Sequence, residues 1–209
     1  MKLYTYIITR DFGFAPNPFY GICSLATCKP KIRQAAQIGD WIVGFGSNAH
    51  DSSYAGKIIY AFEIEKKITF NEYWQDPDYR KKRPLLSGSL KQCYGDNIYH
   101  EENGYYIQEN SHHSLEDGKE NIINKTRDLH SKYVLLGHNF YYWGTEAIDC
   151  ETAYSLFIPK CRDYRCFNSK VYPQIETFIQ WICTQGPPGI YGFPQMFKNS
   201  FIRYKGEKV

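Results

Sequence analysis

The chain has 209 residues, 43% of them hydrophobic, with a net charge of +3 and a pI near 8.3. That length and apolar content support one sizeable core over residues 1–209, and the charge excess is too small to act as a nucleic-acid footprint, so any anion site must come from local clustering. No stretch reaches the roughly 18 apolar residues of a membrane span, MKLYTYIITR lacks an apolar signal core, and the seven cysteines are odd in number, which together point to a reduced, cytoplasmic protein with no membrane partner.

In chain order, Leu3 to Thr9 alternates apolar and polar residues and reads as an opening strand. Next comes an aromatic, proline-stiffened loop with Phe12, Phe14, Phe19 and Tyr20 around Pro16, Asn17 and Pro18. Pro30 suits a first helical turn, Ile32, Ala35 and Ala36 form a short apolar stripe, and Gly39 supplies a stop, so a helix is expected over residues 29–38. Gly39-Asp40 then turns the chain into a strand over Trp41 to Gly46, where Gly44 and Gly46 mark a bulge or a close backbone approach. Lys57 to Glu65 is the clearest strand, with Ile58, Tyr60, Phe62 and Ile64 on one face. Thr69 and Glu72 have capping-box spacing, and the short helix they open ends before Asp76-Pro77.

Arg80 to Arg83 is the only dense basic run. Residues 84–131 are polar and irregular, with Tyr105 to Gln108 as a candidate strand, and are expected to wrap the core as loops and insertions. Lys132 to Leu136 reads as a buried strand, followed by a turn at Gly137 and the aromatic run Phe140 to Trp143. Pro173 opens a helix whose stripe is Ile175, Phe178, Ile179 and Ile182, and Gly186-Pro187-Pro188-Gly189 ends it.

Aromatic content is 17%, with 19 Tyr and 13 Phe. Stiffly held aromatic rings suit a flat ligand, and Asn17 carries both a donor and an acceptor for a base edge. The alternative is a loop folded onto its own core. Lys29 and Arg33, one turn apart, could hold phosphates or form a solvated face. Gly44, Gly46 and Ser47 resemble a place where backbone meets ligand, and equally an ordinary bulged strand. Asp11 and His138 are the candidate acid–base groups; Asp40 reads better as a pin for the Gly-Asp turn. His112-His113 is discounted as a metal pair, because adjacent strand residues alternate in direction. Cys23/Cys28 and Cys161/Cys166 share a C-x4-C spacing at the permissive edge for zinc, and buried free thiols account for them more simply. No metal and no cofactor are expected. Nucleotide-binding loops, hydrolase elbows, deaminase and zinc-protease signatures are all missing from the sequence.

The order helix, Gly-Asp, strand, strand resembles the PUA-like superfamily, which includes the ASCH, EVE and YTH domains. A second resemblance runs over most of the length. Asp11 to Phe19, Leu25 to Arg33, Gly39 to Gly44, Phe140 to Gly144 and Ile158-Pro159 are similar to the second nucleotide-modification-associated domain, a bacterial and bacteriophage family linked to DNA-base modification systems. Together these imply an α+β fold built on a small, partly open mixed β-barrel of PUA-like type, with flanking helices and long loop insertions. They imply recognition of a nucleotide or a modified DNA base in a modification or conflict system. Stacking would come from the aromatic loop with Phe12, Phe14 and Phe19 and from Trp41, a base-edge contact from Asn17, and phosphate contacts from Lys29 and Arg33; Ser47, Tyr142 and Trp143 complete the expected nucleotide-binding set. The expected partner is a nucleotide or DNA, with or without a modified base, and a modification enzyme is a second expected partner. The alternatives are an enzyme that transfers a group to, or hydrolyses, a nucleotide or base through Asp11 and His138, and a protein-interaction module.

Overall fold

The computed structural model describes residues 1–160, 163–197 and 200–206. Its strands and α-helices, in order, are β1 (Lys2–Ile8), β2 (Cys23–Leu25), α1 (Pro30–Ala35), β3 (Trp41–Gly46), β4 (Ile58–Glu63), β5 (Lys66–Thr69), α2 (Phe70–Gln75), α3 (Leu90–Cys93), β6 (Tyr99–Glu102), β7 (Tyr105–Gln108), α4 (Ile122–Asp128), β8 (Tyr133–Gly137), β9 (Phe140–Tyr142), β10 (Arg165–Asn168), α5 (Gln174–Thr184) and β11 (Gly189–Ile190). The chain is α+β, and it clusters into two compact units. The first comprises Met1–Asp11, Ala36–Lys66 and Leu136–Met196; the second comprises Phe12–Ala35, Lys67–Leu135 and the chain from Phe197 onward.

The first unit carries a six-stranded mixed sheet in the order β10-β1-β3-β4-β9-β11. β1 runs parallel to β3, with Leu3 opposite Trp41, and β4 returns antiparallel to β3. The register shifts between Gly44 and Phe45, so the expected bulge is present. At Gly44 a Cβ would run into the Tyr60 ring, so the close approach that glycine permits there is to the protein's own aromatic side chain. The α5 stripe Ile175, Phe178, Ile179 and Ile182 packs with Trp41, Val43, Phe45, Tyr141 and Trp143 in one apolar core. Each such burial removes enough apolar surface to be worth roughly 1.5–3 kcal/mol. β4 is buried on both faces, since Ile59 and Ala61 are as inaccessible as Ile58, Tyr60 and Phe62. Asp40 pins the entry to β3 as expected: its carboxylate accepts from the Lys2 amide at 2.7 Å and the Gln37 amide at 3.0 Å.

The barrel expectation holds only in its coarse part. The six-stranded sheet is mixed, and among the described residues no pairing joins β10 to β11 to close it.

The second unit holds the three-stranded sheet β2-β8-β5 and the hairpin β6-β7. The Thr69/Glu72 capping box forms and opens α2. α1 is shorter than the spacing predicts, ending at Ala35, with Ile32 buried and Ala35 exposed. Residues 84–131 overturn the expectation of peripheral loops. Tyr94, Ile98, Tyr99, Asn124 and Asp128 there are all fully buried, and the segment supplies α3, α4, β6 and β7. Among the described residues no helix is long and apolar enough to cross a membrane.

Candidate functional site

The second unit gathers three chemically matched side chains that lie far apart in sequence. Cys28 Sγ lies 3.8 Å from His113 Nε2, and His113 Nδ1 lies 2.7 Å from Asp128 Oδ2. A carboxylate only accepts, so the proton sits on Nδ1 and Nε2 faces the sulfur. The result is a thiol, imidazole and carboxylate in line, the order that activates a nucleophile and orients its base.

Local structure sets each member. Cys28 follows β2 and immediately precedes the residues that lead into α1. Cys28 and Lys29 both adopt positive φ, 55° and 39°, a region that non-glycine residues enter at a cost and that clusters at functional sites. The strained turn is held at both backbone polar groups of Cys28. The Cys28 amide donates to Asp128 Oδ1 at 2.8 Å, and Arg33 Nε donates to the Cys28 carbonyl at 2.9 Å. The other Arg33 nitrogens donate to the carbonyls of Ser131, Tyr133 and Asp128 at 2.9, 2.6 and 2.5 Å.

Asp128 is the last residue of α4, whose first turn is capped by the Asn121 side chain. Tyr99 donates a further hydrogen bond to Asp128 Oδ2 at 3.0 Å. His113 sits in a turn tied to Ser111 Oγ through its amide, and the Asn124 side chain donates to its carbonyl at 3.0 Å. The Phe14 ring covers the imidazole, with centroids 4.7 Å apart.

The electrostatics favour a charged pair. Burial alone would raise the Cys28 thiol, but the charge of His113 and its hydrogen bond to sulfur, with Arg127 nearby, overcome burial and Asp128 and bring it below the ordinary value. Burial would lower His113, and the charges of Asp128 and Cys28 override this and lift it to about 9. Burial would raise Asp128, and His113, Arg127 and Arg33 hold it down at about 2. Cys28 keeps partial exposure, whereas His113 and Asp128 are 1% and 0% exposed. His113 is thus an imidazolium near neutral pH, and its charge favours the thiolate form of Cys28.

This pair has a testable pH signature. His113 is raised, so its stabilisation is present below about 6.5 and is lost as pH rises through about 9. Cys28 is lowered, so over the same window the unfolded chain holds the thiol proton that the folded chain has released. The two slopes oppose each other in the wild type. Because the Cys28 charge is one of the causes that raise His113, Cys28→Ala is expected to bring the pH at which the imidazole loses its proton below the wild-type value of about 9, read by proton NMR of the histidine ring. An unshifted imidazole midpoint in the variant would show that no charged sulfur lies beside His113.

The same three groups could hold a metal, because their ligand atoms lie within 4.8 Å of one another. Both Asp128 oxygens already accept hydrogen bonds, one from the Cys28 amide and one from His113 and Tyr99. A metal here would find sulfur, one imidazole nitrogen and at most one carboxylate oxygen, short of the four ligands of a structural zinc set. In the C-x4-C pairs weighed from sequence, Cys161 lies outside the described residues, and Cys23 is a buried thiol whose pKa is pushed up mainly by burial.

The residues singled out from sequence are placed as follows. Phe12, Phe14 and Phe19 are buried, packed on Tyr94, His112, His113 and Phe197, so the aromatic loop is folded into the second unit. Asn17 is fully buried: Oδ1 accepts from Lys82 Nζ and the Phe19 amide, and Nδ2 donates to the Tyr94 carbonyl at 2.9 Å. Arg33 is fully buried, with all three nitrogens on carbonyls, so a phosphate there would have to displace them. Lys29 keeps partial exposure beside Cys28.

In the first unit, Trp41 and Trp143 belong to the apolar core, and Tyr142 donates to the buried Asp11 carboxylate at 2.6 and 2.7 Å. Ser47 is partly exposed and accepts from the Ala49 amide. His138 is exposed and pairs with Glu65 at 2.8 Å. Asp11 and His138 are thus each engaged with a different neighbour. The structure brings Phe14 and Arg33 to the Cys28 centre, Phe14 against the imidazole and Arg33 beneath the thiol turn.

Sequence reasoning had Cys28 and His113 in view but tested each against its nearest like residue. The available signal was one cysteine at a turn into a helix, with histidine and aspartate elsewhere in the chain, and such partners meet only in space.

No curated protein and no solved structure matches the chain. A family model does, and it covers residues 1–201, both the stretch around Cys28 and the segment carrying His113 and Asp128. The chain belongs to the family described as nucleotide modification associated domain 2.

Proposed function

We propose that this protein is a cysteine-nucleophile enzyme that recognises a nucleotide or a modified DNA base and transfers or hydrolyses an acyl group on it, within a bacterial or phage DNA-modification or conflict system. The Cys28–His113–Asp128 line carries the reading, and the family's association with nucleotide modification supports the substrate class. The Cys28 thiolate attacks a carbonyl carbon and forms an S–C bond. As the C–N or C–O bond breaks, His113 Nε2 gives its proton to the leaving group. Water or an acceptor amine then attacks the thioester, returns a proton to His113 and frees the thiolate. Asp128 keeps the imidazole in the required tautomer throughout, and Arg33 holds the Cys28 turn as a positioning residue.

Recognition of the base precedes this chemistry and needs a surface other than the buried faces of Phe12, Phe14 and Phe19. The PUA-like reading of the first unit rests on the Gly39-Asp40 turn feeding β3. The reaction is tested with a panel of N-acylated nucleosides and intact-protein mass spectrometry. The expected result is an acyl adduct on the Cys28 peptide of the wild type, and release of the acyl group that drops by about 10³-fold or more in Cys28→Ser. Equal turnover in the variant would sink the reading.

A further inference from the structure

The basic run Arg80 to Arg83 splits by role. Lys82 is buried, with its ammonium donating to the carbonyls of Asn17 and Ile22 and to the side chains of Asn17 and Ser24. Arg83 instead sits over an aromatic ring. Its guanidinium carbon sits 3.6 Å from the centre of the Trp74 ring, and its Nη2 is anchored on the Trp74 carbonyl. The His100 imidazole also stacks on Trp74, with centroids 4.2 Å apart and planes 16° from parallel. Two groups at those distances cannot share one face, so His100, Trp74 and Arg83 form a three-plane column. Glu109 Oε1 accepts from His100 Nε2 at 2.8 Å and steadies its far end.

A cleft of about 400 Å³ opens beside this column, lined by Trp74, Arg83, Leu85, Leu86, Glu109 and Asn110 among others. That volume lies within the range of small-molecule sites. The polar groups around it can exchange water for a ligand, since Asn110 is exposed and the Glu109 side chain is 38% exposed. Arg83 Nε is buried with no hydrogen-bond partner. Asn110 Oδ1 accepts from Ser114, and its amide nitrogen finds no acceptor among the described residues; Glu109 Oε2 likewise receives no hydrogen bond from them. The wall thus offers a planar cation, two donors, one acceptor and a leucine rim.

We propose that this cleft binds the ring of a nucleobase, seated against the Arg83–Trp74 column with its donor–acceptor edge on Glu109 and Asn110. A guanidinium plane is a stacking surface for a base, and a carboxylate paired with an amide matches an edge that both donates and accepts. A phosphate fits poorly, because the Glu109 carboxylate shares the cleft and the rim is apolar. Asn110 lies three residues before His113, at most about 11 Å along the chain, so base and reacting group of one nucleotide can reach the cleft and the thiolate together. The link to Cys28 rests on the enzymatic reading above; ring binding in the cleft does not.

Calorimetric titration of the full chain with nucleosides, their 5′-monophosphates and ribose 5-phosphate tests it. Nucleosides carrying an exocyclic amine are expected to bind, and ribose 5-phosphate at least tenfold more weakly than the monophosphates. Arg83→Lys keeps the charge, loses the plane, and is expected to weaken binding about tenfold. Glu109→Gln is expected to alter the ranking of the nucleosides. Cys28→Ala is expected to bind as the wild type does, which separates this proposal from the catalytic one. Ribose 5-phosphate binding as tightly as the monophosphates, unchanged binding in Arg83→Lys, or no nucleoside binding to the wild type would each overturn it.

Discussion

His113→Ala is expected to slow iodoacetamide alkylation of Cys28 at pH 6–7 by at least tenfold, and to move the midpoint of its pH–rate profile above the ordinary thiol value near 8.5. In the wild type, burial pushes the thiol up, and the imidazolium at 3.8 Å more than reverses it. Without that ring, the burial cost and the Asp128 charge remain, and both favour the neutral thiol. The other cysteines serve as internal references, since alkylation is read peptide by peptide. At the high end, the wild-type profile is expected to change again as His113 loses its proton near pH 9. Identical midpoints in wild type and variant would show that the imidazole does not activate the sulfur.

Arg33→Met is expected to lower the stability of the second unit by about 3–5 kcal/mol, read as a shift in urea midpoint. The side chain is 0% exposed, and it satisfies the carbonyls of Cys28, Ser131, Tyr133 and Asp128. Methionine fills similar space but donates nothing, so four carbonyls lose a charge-assisted partner in a dry interior. The loss also removes the support under the strained Cys28 turn, so alkylation should become slower and less dependent on His113. A phosphate-binding arginine behaves differently: its removal weakens ligand affinity and leaves the unfolding midpoint in place. The variant therefore separates a positioning role from the ligand contact that the Lys29/Arg33 spacing suggested.

What was legible in the sequence has a common character. β1, β4 and α5 show strong period-two or helical patterns of apolar residues, and the Thr69/Glu72 box and the Gly39-Asp40 turn that leads into β3 are local hydrogen-bond motifs. In each case neighbours in sequence are also the interacting groups. Residues 84–131 defeated the same reasoning because their burial is polar. Asp96, Asn97, His113, Asn121, Asn124 and Asp128 are all buried and hydrogen-bonded, and a polar side chain in a sequence reads as exposed. α3 has four residues and α4 seven, too short for periodicity to register.

The aromatic loop shows the limit from the other side. Its rings, prolines and asparagine were visible, but whether they face a ligand or a core depends on what packs against them. Tyr94, His112, His113 and Phe197 do so, from segments about 80 to 180 residues away.

By itself, then, the sequence determined the α+β character, the main strands of the first unit, the α5 helix and the family. Those follow from local periodicity, capping and a long run of matching residues. The tertiary structure alone decided the chemistry. Cys28, His113 and Asp128 are separated by 85 and 15 positions, and no local rule couples them. Only the folded chain, with Arg33 spent on four carbonyls and α4 ending on Asp128, puts a thiol, an imidazole and a carboxylate in one line. Reactivity depends on distances of a few ångströms and on a dry surrounding, and both are properties of packing.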